Sequence, residues 1–517
     1  MLETKSFDFY LKWIIIIATV ARCLIAYMVE LGNDEVYYFT YAVQPDWNHF
    51  DHPPMVGLFI RLFTLNLHWI NDLSVRLPAI VGAAINTWLI ARCGMLISNQ
   101  RTGLIAAILY NTSLYTSIIS GLFILPDSIQ LVFWLAALHT MIRIVSNENP
   151  TSRNKNILVL GMWIGLAIMC KVHGVFLWLG ILSYILFFKR SLLTNPWLYG
   201  SMALTCLIIS PIFFWNIDNQ FISWRFHSER VEANKGLNLA SFFTTTVGQI
   251  AYNNPVNFFI FILTLTGILR REYFVSIPVL RLILWCSLPI IAATTVVSLF
   301  RTTLPHWSGP GFIGLILLSA AFIDFKLNLH KKLYGHLLKS SVILIIAVML
   351  SGVSLINYYP GTLSTRPEPK TGSGDFTLDM YGWKSLSTAF NQLRLNDIKT
   401  GKMTVEAPLI THKWFPGGHL FYYVAYPAKI PLIGIGNLND LHKFIWLNAS
   451  QGSVSKGGDA YFITSSTNFT SPDDLYKNDF ERIEQPQIVE QLRNGKIARY
   501  WYIYRLKNAT KNLPKID

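Results

Sequence analysis

Residues 340–356 read SSVILIIAVMLSGVSLI, a stretch with no charge in it and about long enough, as a helix, to cross ~30 Å of hydrocarbon. Just beyond it, Tyr359 to Gly374 is rich in Pro, Gly, Ser and Thr and reads as a linker. No comparable apolar run follows Pro360, whereas upstream such runs recur, among them Leu282 to Phe300 and Trp13 to Val29. The 517-residue chain is 52% hydrophobic and only 14% charged, the composition of a lipid-embedded protein. The expected fold is therefore an α-helical polytopic membrane protein with about eleven transmembrane helices and a C-terminal soluble α/β domain. Residues 1–359 form the membrane domain, with an outer loop at 31–74, and residues 360–517 form the second domain.

The expected spans lie at about 12–30, 75–97, 102–118, 126–146, 157–170, 172–188, 197–216, 255–269, 282–300, 307–324 and 340–358. The first follows a head containing Glu3, Lys5, Asp8 and Lys12 with no small-residue cleavage site, and reads as a retained anchor. With a cytoplasmic N-terminus, every cytoplasmic connection is basic: Arg92 with Arg101, Arg143 with Arg153 and Lys155, Lys189 with Arg190, Arg270 and Arg271 with Arg281, and Lys326 through Lys339. The loops 31–74 and 217–254 and the tail then lie outside. Lys171, His173 and Gly174 interrupt the stretch 157–188, which counts as two short spans, because one would invert every later basic loop. The net charge of +14 sits between hydrophobic spans, so a membrane explains it and nucleic acid is not a partner. The five cysteines (Cys23, Cys93, Cys170, Cys206, Cys286) fall within or beside apolar runs and indicate neither a disulfide framework nor a thiolate metal site. Sequons occur at Asn111, Asn448, Asn468 and Asn508, and carry no weight here.

Past the linker, the spacing predicts helices over Trp383–Leu395 and Leu438–Ala449 and strands over Met403–Thr411 and Ile430–Ile435. A final strand, Ala498–Leu506, is rich in Tyr and Trp and is expected to close the sheet.

Two polar clusters mark the first outer loop. Gly32-Asn33-Asp34-Glu35 puts adjacent carboxylates just past a span, where they suit a lipid-borne substrate, although Asn33 or Asp34 as the N-cap of an amphipathic helix explains them equally. Trp47-Asn48-His49-Phe50-Asp51-His52-Pro53-Pro54 packs two imidazoles and a carboxylate before a stiff proline pair. Asp51 can simply cap the helix entered there, and His49 with His52 is too sparse a set to require a metal. Asp127, between Pro126 and Ser128, has the look of another N-cap. Cations at the membrane edge often only snorkel to headgroups, and Trp47, Trp69 and Trp224 read as an interfacial belt.

The aspartate-glutamate pair followed by Phe50-Asp51-His52-Pro53-Pro54 resembles the first periplasmic loop of the protein-mannosyltransferase-like glycosyltransferases, enzymes of the GT-C superfamily (glycosyltransferase family 39-like). Further segments resemble its bacterial branch, which includes the aminoarabinose transferases of lipid A. They are Leu125-Pro126-Asp127-Ser128, Lys171-Val172-His173-Gly174, Trp215-Asn216 leading to Phe226-His227-Ser228-Glu229-Arg230, Pro305-His306-Trp307-Ser308-Gly309-Pro310 and Tyr381-Gly382-Trp383. The resemblance implies inverting transfer of a sugar from a polyprenyl-phosphate donor to a hydroxyl of an envelope acceptor: lipid A, a glycan, another lipid or protein Ser and Thr.

It implies Asp34 as the catalytic base, because an alcohol needs a carboxylate to take its proton as the new bond forms. Glu35 and Asp51 would position hydroxyls, with an exchange of roles among the three left open. A departing lipid phosphate needs fixed cations at the low-dielectric boundary; Lys171 is the first choice, with Arg225, His227, Arg230, Arg301 and His306 as further candidates. Asp127, His52, His173 and Trp307 complete the expected substrate-binding set. The partners implied are the polyprenyl-phosphate-linked sugar, membrane lipids and the envelope acceptor, at the bacterial inner membrane with the tail periplasmic. No cofactor is required by these residues, and a divalent metal stays open. A lipid or glycan flippase would also place Lys and His inside the membrane, but no inverted repeat is visible. A scaffold with a partner-binding tail is the third class.

Overall fold

The computed structural model describes residues 4–146, 149–231 and 236–514. Contacts divide the chain into two compact units, one built from residues 1–24, 47–59 and 76–348, the other from 25–46, 60–75 and 349–517.

Helices precede the linker in an unbroken series: α1 (Thr4–Met28), α2 (Asn33–Val43), α3 (Met55–Phe63), α4 (Asp72–Ile97), α5 (Gln100–Thr112), α6 (Pro126–Ser146), α7 (Pro150–Cys170), α8 (Val175–Phe188), α9 (Pro196–Asp218), α10 (Ile222–Val231), α11 (Leu239–Tyr252), α12 (Pro255–Leu269), α13 (Ile277–Val297), α14 (Gly309–Asn328) and α15 (Leu333–Tyr358). Each expected span falls largely on one of them, although α5 ends at Thr112, short of the expected 118. Among the described residues seven, namely α1, α4, α6, α9, α13, α14 with its leading turn from Pro305, and α15, are long and apolar enough to cross a membrane. Helices α11 and α12 form a further pair, bent by 97°, while the apolar segment Val172–Phe188 is shorter. The stretch 157–188 is two helices: Lys171 is extended, with φ −157° and ψ 132°, and a tight turn over Val172–Gly174 leads into α8.

Three of these helices start the same way, with Asn before Pro. Asn149, Asn195 and Asn254 each accept a backbone N–H of the first turn, while Pro150, Pro196 and Pro255 occupy the position where a missing N–H costs nothing. In the first unit the core runs through α4 to α9 and α12 to α14, with Trp134, Leu138, Ile164, Ile283 and Ile316 buried at its centre. Lipid supplies no hydrophobic drive between such helices, so close backbone approach matters. At Gly161 of α7 an added Cβ would strike the Ser201 carbonyl of α9.

The second unit carries α2, α16 (Trp383–Lys399) and a six-stranded sheet of β1 (Leu409–Thr411), β2 (Leu432–Gly434), β3 (Ala460–Ser465), β4 (Phe480–Ile483), β5 (Gln487–Arg493) and β6 (Lys496–Ala509). The order is β2-β1-β3-β6-β4, with β5 also on β6; β1 runs parallel to β2 and β3, and β6 is antiparallel to β3, β4 and β5. The last strand is thus internal rather than a closing edge, which is why Ala498, Trp501, Ile503 and Leu506 are all buried. The helix expected over Leu438–Ala449 is broken at His442, whose φ of 51° no α-helix accommodates, so it becomes Leu438–Leu441 and Phe444–Gln451.

Candidate active site

In the first unit the charged centre is Lys171 with Asp127. Lys171 Nζ donates to Asp127 Oδ2 at 2.8 Å, with the two side chains 4% and 3% exposed. Asp127 lies inside the first turn of α6, one residue past Pro126, so it is not the N-cap the sequence suggested. The start of α6 is tied instead by Ser128, whose hydroxyl accepts from Leu125 N at 3.0 Å. Tyr115 donates its hydroxyl to Asp127 Oδ1 at 3.1 Å. Lys171 sits where α7 ends, and Gln130 Nε2 donates to the Ala167 and Lys171 carbonyls at 3.1 and 2.7 Å. Both carbonyls also accept backbone N–H groups, from Lys171 and Gly174, so Gln130 is a second donor to each and ties α6 to the end of α7 from which Lys171 projects. The negative end of the α7 dipole favours a cation there.

Imidazoles surround this pair. His306 and His173 are electrostatic neighbours of Asp127, with His173 against Trp307 at 6.1 Å between rings and His306 stacked on Tyr252 at 6.4 Å. His173 Nδ1 is buried and has no hydrogen-bond partner among the described residues. His227 Nε2 donates to the Asp51 carbonyl at 2.8 Å, and its ring lies 6.1 Å from that of His52. Burial pushes the His52 imidazole down to about 3, Asp51 opposing and Lys171 reinforcing the shift, so at neutral pH it carries no charge. The loop before α3 is clasped by α10: Asn48 Nδ2 donates to Ser223 Oγ at 3.0 Å, and Ser223 donates to the His49 carbonyl at 2.9 Å. A narrow cleft lined by Asn48, Asp51, His52, Asn216, Trp224 and His227 results.

The other expected cations are arginines. Arg225 is exposed on α10, and Arg301 is half-buried with its carbonyl accepting from Ser241 at 2.8 Å. Arg230 belongs to α10, but its side chain lies outside the described part of the structure.

In the second unit, α2 begins at Asn33 with Gly32 as N-cap, not Asn33 or Asp34. The Glu35 carboxylate turns back to accept from Gly32 N at 2.8 Å and is buried, whereas Asp34 is exposed. The rest of α2 is buried from Val36 to Ala42, so the helix is not the amphipathic one expected. The segment before it is held on both sides of its backbone. Tyr423 accepts from Leu31 N at 2.7 Å, and His419 donates to the Leu31 carbonyl at 3.0 Å. Glu30 accepts from Trp383 N and Lys384 N at 2.8 and 3.0 Å, filling the open N-terminus of α16. Asn33 Nδ2 donates to Asp379 Oδ2 at 3.0 Å. Asp72 accepts from Tyr423 at 3.1 Å and pairs with Lys384 at 2.6 Å.

A family model described as dolichyl-phosphate-mannose-protein mannosyltransferase matches residues 51–215. Among solved structures, ArnT from Cupriavidus metallidurans bound to undecaprenyl phosphate is similar with a TM-score of 0.62 at 14% identity, over 95% of this chain and 97% of that one. The same protein in the apo state gives 0.62 and 14% over 96% and 98%. The fold is GT-C. The Archaeoglobus fulgidus oligosaccharyltransferase in its apo form follows at 0.47 and 12%, over 88% and 69%. No curated protein sequence matches the chain.

Residues that build this site, and a buried charge of the same unit, escaped the sequence reading. Tyr115 left no signal, because only the fold aims it at Asp127. Gln130 did leave one: a polar residue one helical turn after Asp127 inside an apolar run. Arg22 was likewise visible, a charge within the first span that the structure buries, donating to the Ser117 carbonyl at 3.1 Å and Asn111 Oδ1 at 3.0 Å. Among the described residues no group of three or more His, Cys, Asp or Glu is placed to hold a metal ion.

Proposed function

We propose that this chain is an inverting glycosyltransferase that moves a sugar from a polyprenyl-phosphate donor to a hydroxyl of an envelope acceptor, at the bacterial cytoplasmic membrane with its C-terminal domain periplasmic. The observation that carries the reading is the buried Lys171–Asp127 pair in a chain of GT-C fold. An ammonium has three donors, and Asp127 takes one of them. The remaining donors can meet phosphate oxygens in a setting of low dielectric, where charge stabilisation is strongest. The likeness to a GT-C structure bound to undecaprenyl phosphate supports a lipid-phosphate leaving group.

In this reading the exposed Asp34 carboxylate takes the proton of the acceptor hydroxyl as its oxygen bonds to the anomeric carbon. The bond from that carbon to the phosphate oxygen breaks on the opposite face. Its electron pair leaves on the phosphate, which Lys171 receives, and the anomeric configuration inverts. Neutral His52 and the Asp51 and His227 cluster orient sugar hydroxyls by hydrogen bonding. Glu35, committed to Gly32, holds the helix that presents Asp34. The test is mass spectrometry of envelope glycolipids and glycans from a deletion strain complemented with the wild type or with Asp34→Asn. The wild type restores a sugar-modified species and D34N does not; restoration by D34N refutes the assignment.

A further inference from the structure

The sheet of the second unit contains a cleft that the transfer chemistry does not use. Strands β1, β2 and β3 are parallel, with β1 in the middle. The chain leaving β1 goes to β2 on one side, and the chain leaving β3 goes to the β4 and β6 side. Loops that diverge in this way leave a crevice beyond the carboxyl ends of the two strands, the general position of ligand sites in open sheets with parallel strands. Here the crevice is a cleft of about 400 Å³, within the size range of small-molecule sites. His412 and Lys413 come directly after β1, Asn437 and Asp440 follow β2, and Tyr476 and Asp479 lie between β3 and β4.

The chemistry of the wall selects the ligand. Asp479 is already paired with Lys511 at 2.5 Å, and Asp440 and Lys413 bring one charge of each sign to the wall. The polar groups are flat and carry paired donors or acceptors: a carboxylate, an amide and an imidazole. Asn437 Nδ2 fixes the Asp440 carboxylate through Oδ2 at 2.7 Å, leaving Oδ1 to accept. The His412 ring is held against Phe462 at 5.9 Å, and its Nδ1 is buried without a hydrogen-bond partner among the described residues. Burial and Lys413 push that imidazole down to about 4, so it is a neutral donor and acceptor at pH 7. A buried polar atom left unmatched is destabilising, so the ring stands to gain from any partner that reaches it. Vicinal hydroxyls, which both donate and accept, match a wall that holds acceptors as well as donors.

We propose that the cleft beyond β1 and β3 is a saccharide site, separate from the transfer centre, that holds an uncharged sugar unit of the acceptor. The identification of the occupant as acceptor rests on the glycosyltransferase reading, whereas the binding itself does not. The test is saturation-transfer-difference NMR on the full chain in a sugar-free detergent. The probes are the methyl glycosides of glucose, galactose, mannose and N-acetylglucosamine, with inorganic phosphate as competitor. At least one glycoside gives a saturable signal that His412→Ala and Asp440→Asn each weaken about tenfold or more, while Asp34→Asn and phosphate leave it unchanged. Both cleft variants are taken forward only at wild-type melting temperature, and Asp440→Asn keeps the amide contact with Asn437. No signal from any glycoside, a signal untouched by both cleft variants, a signal lost in D34N, or displacement by phosphate overturns the proposal. Failure of the wild type to restore any sugar-modified species in the deletion strain would overturn the transferase reading alone and leave this binding result standing.

Discussion

Replacing Lys171 with Met tests whether the charged centre is a pair or merely two residues near each other. The side chains meet at 2.8 Å and are almost wholly buried. At an effective dielectric of 20 their attraction is about 6 kcal/mol, much of it offset by the cost of removing both charges from water. Taking away one partner is therefore worse than taking away both. Lys171→Met leaves the Asp127 carboxylate buried with the Tyr115 hydroxyl as its one side-chain donor among the described residues, and is expected to cost about 3–5 kcal/mol. The double change Lys171→Met with Asp127→Asn removes both charges, keeps the Tyr115 contact and should recover most of that loss. The assay is reversible SDS-induced unfolding of the purified chain in mixed micelles, read by tryptophan fluorescence, beside glycolipid transfer in complemented cells. The stability of the double variant returns while its transfer stays absent, since no ammonium remains for the phosphate. Equal stability of the wild type and Lys171→Met would refute the buried pair, and a fully active double variant would refute the role of Lys171 as phosphate partner.

Asp34→Asn leaves α2 intact and abolishes transfer, whereas Glu35→Gln, which weakens the bond to Gly32, costs about 0.5–2 kcal/mol and reduces transfer only in part; melting curves and product yield separate the two. His419, stacked on Trp383 at 4.1 Å, is pushed by burial down to about 3 from the usual 6.5. Its contribution is complete above about pH 6.5 and is lost as pH falls toward about 3, because only the unfolded chain then takes up the proton. The wild-type melting temperature should accordingly drop more between pH 7.5 and 5 than that of His419→Gln, and an equal drop would show that His419 is not held neutral. Gly418→Ala puts a Cβ 3.0 Å from Val36 Cγ2 and 3.2 Å from Tyr37 N; overpacking of this kind costs about 1–3 kcal/mol, measurable as earlier thermal unfolding and faster proteolysis around α2.

Apolar runs of spanning length and the linker after Tyr359 were legible in the sequence by itself, because each is a local property: hydrocarbon thickness and backbone stiffness act on neighbouring residues; the Asn-Pro starts of α7, α9 and α12 are local in the same way but went unread. Asp34, Asp127 and Lys171 were legible as residues of interest. Their environments were not. Asp127 looked like a cap, and only the packing of α6 against α7 turns it to Lys171, 44 positions away in the chain. Glu35 looked like a partner of Asp34 in chemistry, but the backbone direction at Gly32 turns it into a helix-start acceptor. β3, β4 and β5 went unseen because a short strand is defined by the strand it pairs with, and β6, which pairs with all three, was read only as a final strand closing the sheet. Local chain chemistry determined which segments are helices in a membrane and which residues are polar within them. Which polar residues lie together, and whether each is buried, exposed or neutral, was decided by tertiary packing, since desolvation and pairing depend on what surrounds a group in space.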